Sequence, residues 1–302
     1  MQPIVVDQIQ KSFGKTLAVD DVTFHVNNGE IFGLLGPNGA GKTTTIRIIL
    51  DIFKPDHGSV SILGGSMNEE KKNHIGYLPE ERGLYQDMPL DRCLIYLAGL
   101  KGLSVVESKS RLAKYLERFE LSTYRLKKVK ELSKGMQQKA QLIATLIHEP
   151  EVIIIDEPFS ALDPVNTQMV KDLLDEERHK GRAIVMCTHQ MHQVEELCDR
   201  LVLIDHGKAM LYGTLAEVRE KYATQDILLN ASAPLPPTIP GVEQVIELNA
   251  HKKLVLKTGH SAQLVLNELV KRNVPIEHFE IAVPSLDEIF IRVVTEGAPQ
   301  DE

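Results

Sequence analysis

Gly36-Pro37-Asn38-Gly39-Ala40-Gly41-Lys42-Thr43 fits the pattern G-x-x-x-x-G-K-[ST]. Before it, Ile31-Phe32-Gly33-Leu34-Leu35 reads as a buried strand, and after it Thr44-Thr45-Ile46-Arg47-Ile48-Ile49-Leu50 reads as a helix. A strand, a Gly-rich turn and a helix in that order aim backbone N–H groups and the positive end of a helix at one point, which suits phosphate. Lys42 then reaches the β- and γ-phosphates of a nucleotide, and the Thr43 hydroxyl ligates Mg²⁺. The competing reading is a Gly-rich turn carrying a solvated lysine, and the flanking strand and helix count against it.

The rest of the composition is compatible with a nucleotide-handling protein. At 302 residues the chain can form one large domain or two smaller ones, and its 43% hydrophobic content supports a full core. A net charge of −8 does not favour nucleic acid as the main partner. Cys93, Cys187 and Cys198 lack metal-ligand spacing, and their odd number fits a reducing compartment better than a disulfide framework. The start, Met1-Gln2-Pro3-Ile4-Val5-Val6-Asp7, lacks the charged and apolar regions of a secretory leader. No apolar run approaches the roughly 18–20 residues needed to cross a bilayer, so work at a membrane requires another chain to do the spanning.

Hydrophobic periodicity divides the chain. Residues 1–35 are β-rich, with Ile4-Val5-Val6, Asp21 to Val26 and Ile31 to Leu35 as strands and Asn27-Asn28-Gly29 as a turn. From about 88 to 148 the pattern turns charged and helical, and Pro150 closes that region. Val152-Ile153-Ile154-Ile155 and Ala183-Ile184-Val185-Met186-Cys187 are apolar throughout. Strands buried on both faces and separated by helices imply a mostly parallel sheet. Residues 231–241 hold four prolines and read as a loop or stiff linker. Beyond them come strands at Val242 to Leu248, Leu254 to Leu256 and Ile276 to Val283. Helices are read at Ala262 to Lys271 and at 285–294, with Ser285 or Asp287 near the start of the second. Residues from about 223 onward thus form a small α+β appendage.

Asp156 and Glu157 follow the strand Val152–Ile155 directly. Acidic residues at the carboxyl end of a central parallel strand sit beside the phosphate site. There Asp156 holds Mg²⁺, usually through water, and Glu157 polarises the water for in-line attack on the γ-phosphorus. By themselves the two are equally readable as solvated carboxylates at a strand end. Leu132-Ser133-Lys134-Gly135-Met136-Gln137-Gln138-Lys139 begins a helix, with Ser133 as N-cap and Gly135 permitting close approach of a phosphate to backbone N–H groups. An ordinary capped helix reads the same way.

This segment resembles the LSGGQ signature of ATP-binding cassette (ABC) ATPases, a helix start that points at the γ-phosphate bound by the opposite subunit. Lys134 replaces the first signature glycine and Met136 the glutamine. Other elements follow in the family's order. Ser160-Ala161-Leu162-Asp163-Pro164 resembles the D-loop at the dimer interface, and Asp163 and Pro164 also read as a helix cap and first turn. His189, after Thr188, is similar to the switch histidine that contacts the γ-phosphate; taken alone it is a polar strand end. Phe13, in Lys11-Ser12-Phe13-Gly14, matches the aromatic that stacks on adenine, with a core phenylalanine as the alternative. Tyr77-Leu78-Pro79-Glu80 occupies the place of the Q-loop, so the usual glutamine ligand of Mg²⁺ is here Glu80. A carboxylate brings charge toward the polyphosphate, and a solvated glutamate is the plainer reading of it.

The resemblance covers about residues 2–220. It implies a P-loop NTPase ABC cassette, α/β with a mostly parallel core sheet, a β-rich N-terminal subdomain and an inserted helical subdomain at about 88–148. It further implies domains at 1–222 and 223–302, the latter a small C-terminal α+β domain after a Pro-rich segment. ATP would be held by Phe13, Gly36, Pro37, Asn38, Gly39, Ala40, Gly41, Lys42, Thr43 and Thr44. Ser133, Gly135 and Asp163 of a second copy would complete the site, making a homodimer. Thr43, Asp156 and Glu80 would hold Mg²⁺, and Glu157, His189 and Lys42 would carry catalysis. Gly76 to Tyr85 and Val283-Pro284-Ser285-Leu286-Asp287-Glu288-Ile289-Phe290 look like a branch of ABC-2 type exporters that includes sodium-efflux ATPases. The implied function is ATP hydrolysis powering a separate integral membrane permease, with the chain cytoplasmic on the inner face of the cell membrane. The alternative is a soluble ABC ATPase acting on ribosomes or DNA. Translation-type members carry two cassettes and repair types carry long insertions, and neither feature is present.

Overall fold

The computed structural model describes residues 2–81, 83–248, 251–257 and 259–296. Arg82, inside the stretch similar to the exporter branch, and the end of the C-terminal domain after 296 lie outside the described residues. The chain divides into two compact units, residues 1–215 and 216–295.

The first unit opens with strands β1 (Ile4–Phe13), β2 (Thr16–Val26) and β3 (Ile31–Leu35), then helix α1 (Lys42–Ile49). β4 (His57–Ile62), α2 (Glu69–Lys72) and β5 (Ile75–Leu78) follow. Next come α3 (Leu90–Leu100), α4 (Val105–Arg118) and α5 (Lys134–Leu146). β6 (Val152–Asp156), α6 (Pro164–His179), β7 (Ala183–Thr188), α7 (Met191–Leu197), β8 (Arg200–Asp205) and β9 (Lys208–Thr214) complete it. The antiparallel sheet β2-β1-β4 is separate from the main sheet, whose order is β5-β6-β7-β3-β8-β9. In the main sheet only the β8–β9 pair is antiparallel. The mostly parallel sheet read from the two apolar runs is therefore present.

β3, β6 and β7 are buried at every residue, as strands covered on both faces must be. Their apolar side chains join those of β1, β2 and α1 in one core, including Val6, Phe24, Ile46, Ile154 and Val185. α4 starts at Ser104, whose side chain accepts from Glu107 N, and Glu107 pairs with Arg111 at 2.7 Å one turn on. α6 starts at Asp163, which accepts from Asn166 N at 2.9 Å, with Pro164 in the first turn. β1 and β2 are longer than the sequence suggested. Bulges interrupt their pairing and break the alternation that marks a strand.

The second unit contains α8 (Leu215–Lys221), β10 (Ile227–Ala231), β11 (Val242–Glu247), β12 (Lys252–Leu256), α9 (Ala262–Lys271), β13 (Ile276–Ile281) and α10 (Leu286–Glu296). Its antiparallel sheet has the order β11-β12-β10-β13. α9 covers it, with Val265 and Leu269 packed against Ile227, Leu229 and Leu254. The proline-rich segment is not a linker ahead of this unit. β10 precedes it and pairs with both β12 and β13, and Ile239 within it is buried in the same core. Five residues of β10, between a short helix and a polar loop, are too few to show a period.

Candidate functional site

The carboxyl ends of β3, β6 and β7 meet at one level of the sheet, where ligands gather in open parallel sheets. β3 hands the chain to the 36–41 turn, β6 ends in Asp156 and β7 ends in Thr188. Between them lies a cleft of about 350 Å³.

The turn needs its glycines. Gly36 has φ +146°, and a Cβ there would lie 2.0 Å from the Ile204 carbonyl oxygen. Gly41 has φ +111°, and its Cβ would lie 2.4 Å from the Ala18 carbonyl oxygen. The conformation leaves α1 with Gly41 at its N-cap, no side-chain cap and no acidic residue in its first turn. The N–H groups that begin a helix need partners, and an anion in the cleft would supply them. Lys42 is buried, and its Nζ donates to the carbonyl oxygens of Gly36 at 2.7 Å and Pro37 at 3.0 Å. An ammonium has three donors, so one remains for a phosphate oxygen.

Opposite the turn stand the carboxylates. Glu157 has φ +49°, which turns the chain sharply at the strand end. Its Oε1 accepts from His189 N at 3.0 Å and faces His189 Nδ1 at 2.6 Å. Its Oε2 accepts from the Thr188 hydroxyl at 3.2 Å. Three groups of β7 and its following residue thus clamp one carboxylate. Asp156 is 3% exposed, and its Oδ2 has no hydrogen-bond partner. Burial raises the Asp156 pKa; the Cys187 thiol opposes the shift, Glu80 and Glu157 add to it, and the Lys42 charge opposes it. The Tyr77 hydroxyl is pushed up to about 12, by burial first and by the Asp156 charge second.

An orphaned buried carboxylate oxygen, with Glu80 and the Thr43 hydroxyl on the same cleft, fits a hard divalent cation. Among the described residues no three His, Cys, Asp or Glu side chains could hold a metal by themselves. Mg²⁺ takes one or two protein oxygens and completes its shell with water and substrate phosphate.

Of the sequence-derived set, Asn38, Gly39, Gly41, Lys42, Thr43 and Thr44 line the cleft on one side. Glu80, Asp156, Glu157 and His189 line it as well, Glu80 as an exposed residue. Gly36, Pro37 and Ala40 shape the turn behind it. Phe13 does not line the cleft. It is 45% exposed with its ring edge-on to Phe53 at 5.3 Å, which excludes the core reading. Ser133, Gly135 and Asp163 do not line it either. Ser133 caps α5 by accepting from Met136 N at 3.2 Å. A Cβ on Gly135 would lie 3.0 Å from the Ala161 carbonyl oxygen, beside the Asp163 turn.

Sequence reading left three contributors without a role. Thr188 was legible only as a strand end. Ala18 contributes a carbonyl that only a glycine can approach. Gln138 donates to the Pro158 carbonyl at 3.1 Å, tying α5 to the turn after Glu157. No spacing rule marks any of them.

Residues 19–160 match the ABC transporter family, and residues 213–294 match the family described as ATP-binding protein DrrA1-3-like, C-terminal domain. An uncharacterized ABC transporter ATP-binding protein of Bacillus subtilis, YhaQ, is 40% identical over 96% of this chain and 98% of its own length. The Nod factor export ATP-binding protein I of Burkholderia pseudomallei is 36% identical over 70% of each chain. A solved ATP-binding subunit of an ABC transporter superposes with a TM-score of 0.69 at 33% identity, covering 72% of this chain and 92% of that one.

Proposed function

The chain belongs to the ABC transporter ATP-binding proteins, which hydrolyse ATP with Mg²⁺ to drive transport, and we propose that it powers an ABC-2 type exporter. One observation carries the reading. An uncapped helix start, a buried lysine and two strand-end carboxylates share one cleft, while the capped Ser133 helix lies outside it. Half a site in that form supports a homodimer, in which Ser133, Gly135 and Asp163 of each copy complete the cleft of the other. The DrrA-like C-terminal match and the relative named for Nod factor export support the exporter branch. Among the described residues no helix is long and apolar enough to cross a membrane, so a separate integral permease is needed. The chain is then peripheral on the cytoplasmic face, and no nucleic acid is required. The cassette is taken as residues 1–222 and the appended domain as 223–302.

Lys42 binds the β- and γ-phosphates, helped by the free N–H groups of α1. Thr43 and Asp156 would hold Mg²⁺ with Glu80 beside them; the ion offsets phosphate charge when bound. Glu157, fixed by Thr188 and His189, orients the attacking water and takes its proton. Phe13 presents an exposed ring for adenine at the end of β1. Glu157→Gln keeps the hydrogen-bonding shape but removes the base. It is expected to bind ATP, lose turnover by about 10²-fold or more and accumulate an ATP-bound dimer. Lys42→Ala should instead lose nucleotide affinity. Steady-state ATPase rates and light-scattering mass test this, and near wild-type turnover in Glu157→Gln would overturn the assignment.

A further inference from the structure

Glu157 stands in a conformation that its own local sequence resists. Its φ of +49° lies in the left-handed region, and Pro158 after it narrows further what the preceding residue can adopt. Strain of this kind persists only where surrounding groups hold it. The main chain supplies part of that hold. Glu157 N donates to the Cys187 carbonyl at 2.9 Å, and Ser160 N donates to the Glu157 carbonyl at 3.2 Å. Pro158 has no N–H to add. A side chain from another element joins them. Gln138, in the second turn of α5 and 7% exposed, places its Nε2 3.1 Å from the Pro158 carbonyl oxygen and 3.5 Å from that of Glu157. α5 also lies close against the rest of this turn, since a Cβ on Gly135 would come within 3.0 Å of the Ala161 carbonyl oxygen. One turn beyond Gln138, Gln141 donates to the Glu81 carbonyl at 3.3 Å. Positions three apart are neighbours on a helix surface, so one side of α5 holds the chain just after Glu157 and just after Glu80.

We infer that Gln138 is a positioning residue for Glu157: its buried carboxamide holds the turn that follows the strand end in the conformation that aims the carboxylate. The carboxylate itself is gripped from β7, by Thr188 and His189. Gln138 fixes the main chain that carries it, from the opposite element. Without that donor the Pro158 carbonyl loses a buried partner, and the turn can relax toward negative φ and carry the carboxylate off line. Nucleotide binding does not run through this turn, because the phosphates meet Lys42 and the start of α1. The loss therefore falls on turnover and not on affinity. Because Ser133 opens the same helix, the placement of the base also depends on how α5 is seated.

The inference rests on the role given above to Glu157, and the test separates the two. Gln138→Met and Gln138→Leu, which remove the donor and keep the bulk, are made in the full-length protein and again in Glu157→Gln. Steady-state ATPase at saturating Mg²⁺-ATP gives kcat, and equilibrium titration gives ATP affinity. In the otherwise wild-type chain, kcat should fall by about 5- to 10-fold, the size of one buried hydrogen bond, with affinity within about twofold. In Glu157→Gln the same substitutions should leave the residual turnover within about twofold, because a residue that acts through the base has nothing left to position. A merely structural role would lower both backgrounds alike. If leucine prevents folding, methionine, unbranched and close in length to glutamine, carries the comparison. An unchanged kcat, an equal fall in both backgrounds, or a loss that falls on affinity instead overturns the role of Gln138 and leaves that of Glu157 intact. Near wild-type turnover in Glu157→Gln itself overturns both.

Discussion

Replacing His148 with glutamine should flatten the acid side of the stability profile. His148 follows α5, the helix that Ser133 opens, and its Nε2 meets the Ile75 carbonyl oxygen at 3.2 Å. It therefore joins the end of that helix to the start of β5, the strand that leads to Glu80. The residue is 8% exposed, and its Nδ1 has no partner. Burial, then the Lys101 charge, lowers its pKa from the ordinary 6.5 to about 4. The sign follows from proton counting. Between those values the unfolded chain binds a proton that the folded chain refuses, so stability falls as pH drops from 6.5 toward 4. The linkage relation gives a loss of about 2 kcal/mol between pH 8 and pH 5 from this one group. His148→Gln keeps a donor for the Ile75 carbonyl and cannot protonate. Urea unfolding at both pH values measures the wild-type-minus-variant difference, in which other titrating groups cancel as long as they are distant. The difference should shrink by about 2 kcal/mol at pH 5. A difference that is the same at both pH values would refute a neutral, buried His148.

Glu80→Gln should keep basal hydrolysis within a few fold and shift its Mg²⁺ dependence, because the oxygen remains and the charge goes, whereas Glu80→Ala should mainly impair stimulation by the permease. Mg²⁺ titration of ATPase activity with and without the permease checks this, and superimposable curves with intact stimulation would leave Glu80 without a role. Ser133→Arg should abolish turnover while each copy still binds ATP through its own Lys42, because the arginine sits where a second copy would meet the nucleotide. ATPase rate per chain, measured against protein concentration, checks it; a rate that does not change down to a proven monomer counts against the dimer.

What could be read from sequence, and what could not, follows from the range of the interactions involved. The phosphate turn was legible because its demands are local. Gly36 and Gly41 adopt φ values that side chains avoid, and Lys42 closes on carbonyls five and six residues behind it. The apolar runs before Asp156 and Thr188 were legible because a strand covered on both faces has no polar alternation to obscure. β10 and the strand at Ile75–Leu78 were missed for the opposite reason. Each is four or five residues long and takes its identity from neighbours far along the chain. Phe13 illustrates a third case. Sequence left it either in the core or on the nucleotide, and only exposure could reject the core.

The carboxylate pair shows why a site is harder to read than a fold. Asp156 and Glu157 are adjacent in sequence and similar in chemistry, yet the structure treats them differently. Glu157 is clamped by a hydroxyl, an amide and an imidazole, all from the end of β7, about thirty residues away. A base that must hold one water in line gains from that fixed geometry. Asp156 is buried with one oxygen free, which suits a cation that will supply the missing partner. The difference is set by which residues β7 places opposite each of them, Cys187 for one and Thr188 with His189 for the other. The pairing of two parallel strands, not the order of residues within either, gives the two carboxylates their different surroundings.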